Sequence, residues 1–234
     1  MDLAVILAGA GEGRRMGALG PKLLIPIGGR PALERVLESF LEVESVGEIV
    51  AVIPPALLQA AERTVAARPN PRGVRLAVTP GGPARRDSVR MGMAALTRDL
   101  PFIAVHDVAR VLVTPALIER VLHAARKTGA AIPGCPVRDT LKEIASGRVI
   151  RSLDRDRVVA AQTPQIFSRD ILARAHAAAR EQSMDATDDA MLVERIGSEI
   201  AVVPGEPRNL KLTQPDDLVA LEAWLRTLPG AEEG

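Results

Sequence analysis

The fold is decided near the N-terminus, where residues 4–31 read "AVILAGAGEGRRMGALGPKLLIPIGGRP". A short apolar run, typical of a buried strand, leads directly into a turn rich in glycine. Backbone N–H groups exposed by glycines can surround phosphate oxygens, and Arg14, Arg15 and Lys22 add positive charge nearby. The stretch therefore predicts a phosphate-binding loop. The alternative is an ordinary strand-to-helix turn that carries solvated arginines.

Two familiar kinds of phosphate loop are excluded by spacing. The dinucleotide-binding fingerprint requires glycines at positions i, i+2 and i+5. When the count starts at Gly9 or at Gly11, the third position is occupied by Arg14 or by Met16. The P-loop of ATPases closes with Gly-Lys-Ser/Thr, whereas Lys22 follows a proline and precedes a leucine. The loop is thus neither a dinucleotide cradle nor a P-loop.

The rest of the chain alternates short β-branched apolar runs with helical patterns. The clearest predicted strands are residues 3–7, 48–53, 74–79 and 102–107, weaker candidates are 129–134 and 198–203, and a last strand is predicted at 209–213. Helical patterns cover residues 31–43, 55–68, 85–96, 114–127, 168–182, 187–197 and 215–228. This alternation predicts βαβ units and a mainly parallel sheet, which binds ligands at the carboxyl ends of its strands.

The alternation is interrupted between residues 136 and 167. Two extended segments with alternating polarity flank "ASGR" (residues 145–148), which is a turn signal. We therefore expect one domain over residues 1–234 with a β-hairpin arm at about 136–160. An exposed hairpin of this length is marginally stable alone, so we expect it to pack on a second subunit of a homodimer.

Composition narrows the class of protein. The chain has 234 residues and a formal net charge of +1, so no global field favours nucleic acid or a membrane surface. No apolar run reaches the roughly 18 residues of a membrane span, and no basic segment precedes the first apolar run, as it does in a signal peptide. The single Cys135 excludes an internal disulfide and disfavours a zinc cluster. We expect a cytoplasmic protein.

The first glycine-rich block, residues 7–31, resembles the signature of nucleotidyltransferases that couple a nucleoside triphosphate to a small phosphorylated compound. More narrowly, it resembles the 2-C-methyl-D-erythritol 4-phosphate cytidylyltransferase family of the non-mevalonate isoprenoid pathway. Further blocks resemble that family in the same order: "GGPARRDSVRMGM", "VHDVAR", "PVRDTLKEI", "LDRDRVVAAQTPQIF", "ATDDAMLVE" and "NLKLTQPDDL". The resemblance implies an α/β, three-layer, Rossmann-like nucleotidyltransferase fold with a mainly parallel sheet and a projecting arm.

The resemblance also implies a reaction, in which CMP passes from CTP to 2-C-methyl-D-erythritol 4-phosphate and pyrophosphate is released. It implies Mg²⁺ or another divalent cation as cofactor, CTP and a small polyol phosphate as ligands, and no nucleic acid or membrane as partner. The implied catalytic residues are Arg15, Lys22, Arg155 and Lys211. The implied nucleotide-binding residues are Ala8, Gly9, Ala10, Gly11, Gly81, Gly82 and Ser88. Arg110, Thr140, Thr163 and Thr187 are implied to bind the acceptor, and Asp107 the metal.

Several of these residues have a simpler structural interpretation. Asp107 could cap a helix or pair with Arg110, Arg155 could lie on a solvated hairpin face, and Thr187 could cap the following helix. His106 is expected to be structural. Two departures from the family pattern stand out, since Pro83 and Ala84 replace an acidic residue and Arg208 stands where many relatives are acidic. The alternatives for the whole chain are a ribitol 5-phosphate cytidylyltransferase and a catalytically inactive nucleotide-binding regulator.

Overall fold

A computed structural model describes residues 1–11, 22–70, 72–182 and 184–227. The strands are β1 (Leu3–Ala8), β2 (Pro26–Ile27), β3 (Arg30–Pro31), β4 (Val46–Ile53), β5 (Arg75–Pro80), β6 (Phe102–Asp107), β7 (Ala130–Pro136), β8 (Lys142–Ala145), β9 (Arg148–Ser152), β10 (Val159–Ala161), β11 (Gln165–Ser168) and β12 (Ala201–Pro204). The helices are α1 (Ala32–Leu41), α2 (Leu58–Ala66), α3 (Arg85–Ala95), α4 (Pro115–Thr128), α5 (Arg169–Glu181), α6 (Asp189–Arg195) and α7 (Pro215–Arg226). In these ranges no helix has the length and apolar character that crossing a membrane requires.

The central sheet has the strand order β10-β7-β11-β6-β1-β4-β5, and β12 pairs with β7 as well. Neighbours among β6, β1, β4 and β5 are parallel, whereas β11 and β10 run antiparallel to theirs. The four parallel strands therefore end at one edge of the sheet, where Ala8 pairs with Val52 and Asp107, and residue 53 pairs with residue 80. The predicted mainly parallel α/β sheet is confirmed.

Helices cover both faces of the sheet. On one face, Leu3, Val5 and Leu7 of β1 share a core with apolar residues of α1 and α4. On the other face, Ala4 and Ile6 share a second core with residues of α3, α5 and α6. Because β1 and β4 are covered on both sides, residues 3–8 of β1 and residues 49–53 of β4 are continuous apolar runs rather than alternating ones. The expected three layers are present.

The β8–β9 hairpin stands apart from the central sheet. The two strands pair only with each other within the described ranges, and Ser146 and Gly147 make the turn with φ values of 48° and 74°. Most of the hairpin's residues are exposed. The predicted turn at "ASGR" is confirmed, and β10 then returns the chain to the central sheet.

The predicted strand at residues 209–213 is wrong, because that segment forms no strand. Leu212 is fully buried and its N–H donates to the carbonyl of Ala109 at 2.8 Å. The segment crosses the end of β6, and at Thr213 the side chain of Asp217 caps the turn into α7. Leu210 and Leu212 are apolar because they are buried against the domain, and not because they pair in a sheet.

A buried carboxylate fastens the chain after α3 to the sheet. Glu48 of β4 is fully buried and accepts hydrogen bonds from the backbone N–H groups of Thr97 and Arg98, each at 2.9 Å. The Arg75 guanidinium lies 2.6 Å away. Burial opposes ionisation of Glu48, but these hydrogen bonds and the Arg75 charge outweigh it and lower the pKa of the carboxyl.

We expect Glu48→Gln to lower the free energy of unfolding by about 2 kcal/mol. The NH₂ group of the glutamine amide would face groups that are themselves hydrogen-bond donors, namely the backbone N–H groups and the guanidinium around this side chain. Chemical unfolding near neutral pH measures the loss. Glu44→Gln, at an exposed position of the preceding turn, is the control and should change stability by less than about 0.5 kcal/mol. Because the pKa of Glu48 is lowered on folding, the difference should persist above its ordinary value of 4.5 and shrink below it. Equal effects of the two substitutions would contradict this assignment.

Candidate active site

A cavity lies at the edge where the four parallel strands end. It has a volume of about 770 Å³. Its walls are residues 8–11 after β1, 54–56 after β4, 81–85 after β5 and 107–109 after β6, together with Leu23, Ser88 and Lys211. This is the place where open parallel sheets bind their ligands. All seven predicted nucleotide-binding residues line this cavity.

The loop that follows β1 and the loop that follows β5 approach each other so closely that there is no room for a side chain at Gly81. A Cβ atom on Gly81 would come within 2.2 Å of the Ala10 Cβ. The N–H of Gly82 donates to the Ser88 hydroxyl at 3.1 Å, and this hydroxyl in turn donates to the Ala84 carbonyl at 3.1 Å. Ser88 therefore ties the glycine loop to the first turn of α3. The result is a cleft walled largely by backbone at residues 8–11 and 81–84.

The charged centre of the cavity is Asp107, the last residue of β6. Its Oδ2 lies 2.7 Å from the Lys211 ammonium, and its Oδ1 lies 3.6 Å from Nε of Arg85. Burial opposes ionisation of this carboxyl, but the charges of Arg85 and Lys211 outweigh it and hold the pKa at about 2. Asp107 is therefore a carboxylate at neutral pH. The pairing with Arg110 that the sequence also allowed is replaced by these two contacts.

Directly behind Asp107 lies a buried neutral network. The Asp107 N–H donates to the Thr163 hydroxyl at 3.1 Å, and Nδ1 of His106 lies 3.0 Å from the same hydroxyl. Nε2 of His106 lies 3.1 Å from the Arg110 carbonyl, so the partners assign the proton to Nε2. Burial lowers the pKa of His106 to about 4. His106 is thus a neutral structural residue, as expected.

The segment that carries Lys211 is fastened by polar contacts. Arg110 donates through Nη1 to the Asn209 carbonyl at 2.8 Å and through Nη2 to the Ala161 carbonyl at 3.3 Å. The buried Asn209 amide donates to the Thr163 carbonyl at 2.8 Å. Arg110 and Thr163 therefore do not line the cavity but lie behind it, where they fix the backbone on either side of Asp107 and Lys211.

Other predicted site residues lie elsewhere. Thr140 and Arg155 are exposed on the arm segment and do not line the cavity. Thr187 is exposed before α6, and the cap of that helix is Asp188, whose Oδ1 accepts from the Met191 N–H at 3.0 Å. The interpretation of Thr187 as the helix cap is therefore wrong.

Two predicted catalytic residues cannot be placed. Arg15 lies outside the described residues. Lys22 begins a short 3₁₀ turn, Lys22–Leu24, but its side chain also lies outside the described part of the chain. Their roles stay predictions.

The sequence pattern does not single out Arg85, which lies beside Asp107. It stands next to Arg86 in "ARRDSV", and nothing in the local sequence distinguishes the two arginines. The available signal is spacing, because Arg85 precedes the predicted ligand residue Ser88 by three positions and so shares its helix face.

The residues of the cavity can be compared with the needs of a divalent cation. Within the described ranges there is no group of three or more His, Cys, Asp or Glu side chains that could hold a metal. Mg²⁺ is commonly bound by one or two carboxylates together with substrate phosphates. The single ionised carboxylate of Asp107 fits a Mg²⁺ that arrives with a phosphate ligand.

Comparison with known proteins identifies the relatives of the chain. The family model for 2-C-methyl-D-erythritol 4-phosphate cytidylyltransferase matches residues 3–227. A 2-C-methyl-D-erythritol 4-phosphate cytidylyltransferase from Carboxydothermus hydrogenoformans is 41% identical over 217 residues, which is 92% of each chain. The crystal structure of the Thermus thermophilus enzyme of that name is 37% identical, with a TM-score of 0.77 over 96% of this chain and 98% of that one. A 4-diphosphocytidyl-2C-methyl-D-erythritol synthase from Anaerococcus prevotii is 26% identical, with a TM-score of 0.84 over the same shares.

The position of Thr163 generates a test of the buried network. We expect Thr163→Val to lower the free energy of unfolding by about 2 kcal/mol, because it leaves the Asp107 N–H and Nδ1 of His106 without a partner. Thr163→Ser keeps the hydroxyl and should retain most of the stability. Chemical unfolding of the three proteins measures the difference, and a valine variant as stable as the serine variant would refute the network.

Proposed function

Because the chain belongs to the 2-C-methyl-D-erythritol 4-phosphate cytidylyltransferase family, we infer that it transfers CMP from CTP to 2-C-methyl-D-erythritol 4-phosphate and releases pyrophosphate. The observation that carries this function is the cluster of Asp107, Lys211 and Arg85 in a glycine-walled cleft. A polyphosphate needs both backbone donors and fixed cations, and this arrangement provides both.

The chemistry is attack by a phosphate oxygen of the acceptor on the α-phosphorus of CTP. The nucleophile is already an anion at neutral pH, so the site needs no strong general base. The difficulty is to bring two anions together and to stabilise the charge that builds on the α-phosphoryl group. In our proposal Arg15 and Lys22 stabilise that charge, whereas Lys211 and Arg155 orient the acceptor phosphate. The neutral His106 behind the site is consistent with a reaction without a histidine base.

The nucleotide occupies the glycine-walled part of the cavity. We propose that backbone groups of residues 8–11 and of Gly81 and Gly82 contact the nucleotide, with Gly81 and Gly82 at the cytosine edge. The position of both glycines in the cavity wall supports this role, because no side chain of their own separates their main chain from a ligand. Ser88 holds the second loop in place through its hydroxyl.

A divalent cation completes the proposal. Asp107 would hold Mg²⁺ together with phosphate oxygens of the nucleotide, and the bound ion would supply neutralisation of the triphosphate charge. The Lys211 ammonium, 2.7 Å from Asp107, is positioned to share this task from the protein side.

Exposed apolar side chains on the arm support a homodimer. Its strands expose Ile144, Val149 and Ile150, with 66%, 62% and 59% of their surface accessible. We propose that a second copy of the chain covers this apolar face, and that Thr140 and Arg155 reach the acceptor site across the interface, near Arg110. In this proposal the chain is a single domain over residues 1–234, and it acts in the cytoplasm.

An assay of pyrophosphate release tests the function. The protein is incubated with CTP, Mg²⁺ and either 2-C-methyl-D-erythritol 4-phosphate or ribitol 5-phosphate. We expect release with the erythritol compound. Release with ribitol phosphate alone would show a different acceptor, and no release with either would favour a nucleotide-binding regulator. Omission of Mg²⁺ should abolish the signal if the proposed cation is required.

Lys211 should be essential for turnover. We expect Lys211→Gln to lower kcat/KM by roughly two to three orders of magnitude, as for the loss of one oriented charged donor in a transition state. Lys22→Ala should have a loss of the same size. Lys127→Gln, at the exposed end of α4, is the matched control and should leave kcat/KM unchanged. Normal turnover of a folded Lys211→Gln protein would refute its role.

The arm should control assembly. We expect Val149→Glu to convert the dimer to a monomer and to lower activity, because a charge would replace an apolar contact in the proposed interface. Val219→Glu is the matched control, since Val219 is 69% exposed and belongs to α7 rather than to the arm. Light scattering after size-exclusion chromatography measures the mass. A wild-type monomer that is fully active would overturn the proposed dimer.

A further inference from the structure

Buried charges continue from the cavity into the two helices behind it. Nη1 of Arg85 donates to Oδ2 of Asp189 at 2.6 Å. The other oxygen of Asp189 lies 2.9 Å from Nε2 of His176 on α5. Asp189 is fully buried, His176 is 5% exposed, and neither lines the cavity. The contacts therefore form a chain from His176 through Asp189 and Arg85 to Asp107.

The position of Asp189 is itself fixed from the sheet. Gln165 of β11 donates to Oδ2 of Asp188 at 2.8 Å and accepts from the Ala190 N–H at 3.0 Å. Its two bonds therefore bracket Asp189 in the first turn of α6. Arg86, next to Arg85, donates to the Met184 carbonyl in the segment before α6. The start of α3 and the start of α6 are thus joined at several points.

A buried ion pair joins two helices less favourably in free energy than apolar packing does. Removing a carboxylate from water costs several kcal/mol, and apolar side chains of similar volume often stabilise a protein at least as well. Burial opposes ionisation of Asp189, but Arg85 and His176 outweigh it and lower the pKa of the carboxyl. The charge is retained at a place where it acts on the guanidinium of Arg85.

That guanidinium lies between two carboxylates. It makes a short hydrogen bond to Asp189, whereas its Nε stays 3.6 Å from Oδ1 of Asp107. Without the pull of Asp189, Arg85 would be free to close on Asp107 and to compete with Lys211 for it. Asp107 would then offer less of its charge to a ligand, and Lys211 would lose its fixed position.

We propose that Asp189, oriented by His176, is a positioning residue that holds Arg85 away from Asp107 and so keeps Asp107 and Lys211 arranged for the nucleotide phosphates. The inference rests on the proposed function and adds to it residues outside the cavity. Asp189 and His176 touch no reacting atom and act through Arg85 alone.

A double-mutant cycle on Arg85 and Asp189 tests this coupling. We expect Asp189→Asn to raise KM for CTP roughly 10- to 100-fold, the range found for partners that orient ligand-holding side chains, with KM for the acceptor changed little. In an Arg85→Gln background the same substitution should have less than about a twofold further effect on kcat/KM. Full additivity of the two substitutions would overturn the proposal. So would a fall in kcat with KM for CTP unchanged, which is what loss of folded enzyme produces.

His176 offers a milder pair of variants that keep the buried carboxylate. Glutamine places an amide donor near the position of Nε2, so His176→Gln should keep KM for CTP within about twofold of wild type. His176→Leu removes the donor and should raise this KM several-fold. Equal values for the two variants, in proteins with cooperative unfolding, would overturn the role of His176.

A measurement that needs no turnover separates this inference from the proposed function. The side-chain Nη1–H signal of Arg85 in ¹⁵N NMR, assigned by its loss in Arg85→Gln, should be sharp and protected from solvent exchange in the wild-type protein, because Nη1 donates to Asp189. Asp189→Asn should broaden it or make it exchange rapidly. If wild-type protein releases no pyrophosphate, the proposed function fails while this signal still decides whether Asp189 holds Arg85. An unchanged signal in Asp189→Asn would overturn the inference.

Discussion

The site depends on one buried carboxylate at the end of a parallel strand. Asp107 cannot keep its charge in that place without cations, so Lys211 pairs with it directly and Arg85 is held at a longer distance. Each cation needs its own support from distant parts of the chain. Lys211 is carried by a segment that Arg110 and Asn209 fasten to β6 and β10, and Arg85 is carried by the first turn of α3.

The contacts that hold these two cations explain how the chain is arranged around Asp107. The sheet delivers Asp107 and the glycine loops to one edge, because four parallel strands end there together. The antiparallel strands β10 and β11 then bring the chain back past that edge, so that Thr163 can bind His106 and the Asp107 backbone. The helices on both faces contribute little chemistry to the cavity, but α3, α5 and α6 supply the buried ion pairs behind it.

A feature of the fold or the site could be predicted from the sequence when the interactions behind it are local, and not when they join distant residues. The buried parallel strands and the glycine loops were predictable, since continuous apolar runs and glycine spacing are local features. Asp107 was predictable because a carboxylate directly after such a run must lie at the ligand edge. Arg85 was not, because its partner Asp189 is 104 residues away and its neighbour Arg86 looks identical in sequence. The segment at 209–213 was wrongly predicted as a strand for the same reason, since burial by distant parts of the domain imitates the apolar spacing of a strand.

The close approach of Gly81 to Ala10 has a consequence for anyone who wishes to redesign the ligand preference of this cleft. Where a pocket is lined by side chains, its selectivity can be altered one substitution at a time. Here the walls at residues 8–11 and 81–84 are glycine, alanine and proline, so the main chain itself is the contact surface. Larger side chains would fill the cleft rather than reshape it. Changes in loop length, made jointly in both loops, are therefore the practical route to a different ligand preference.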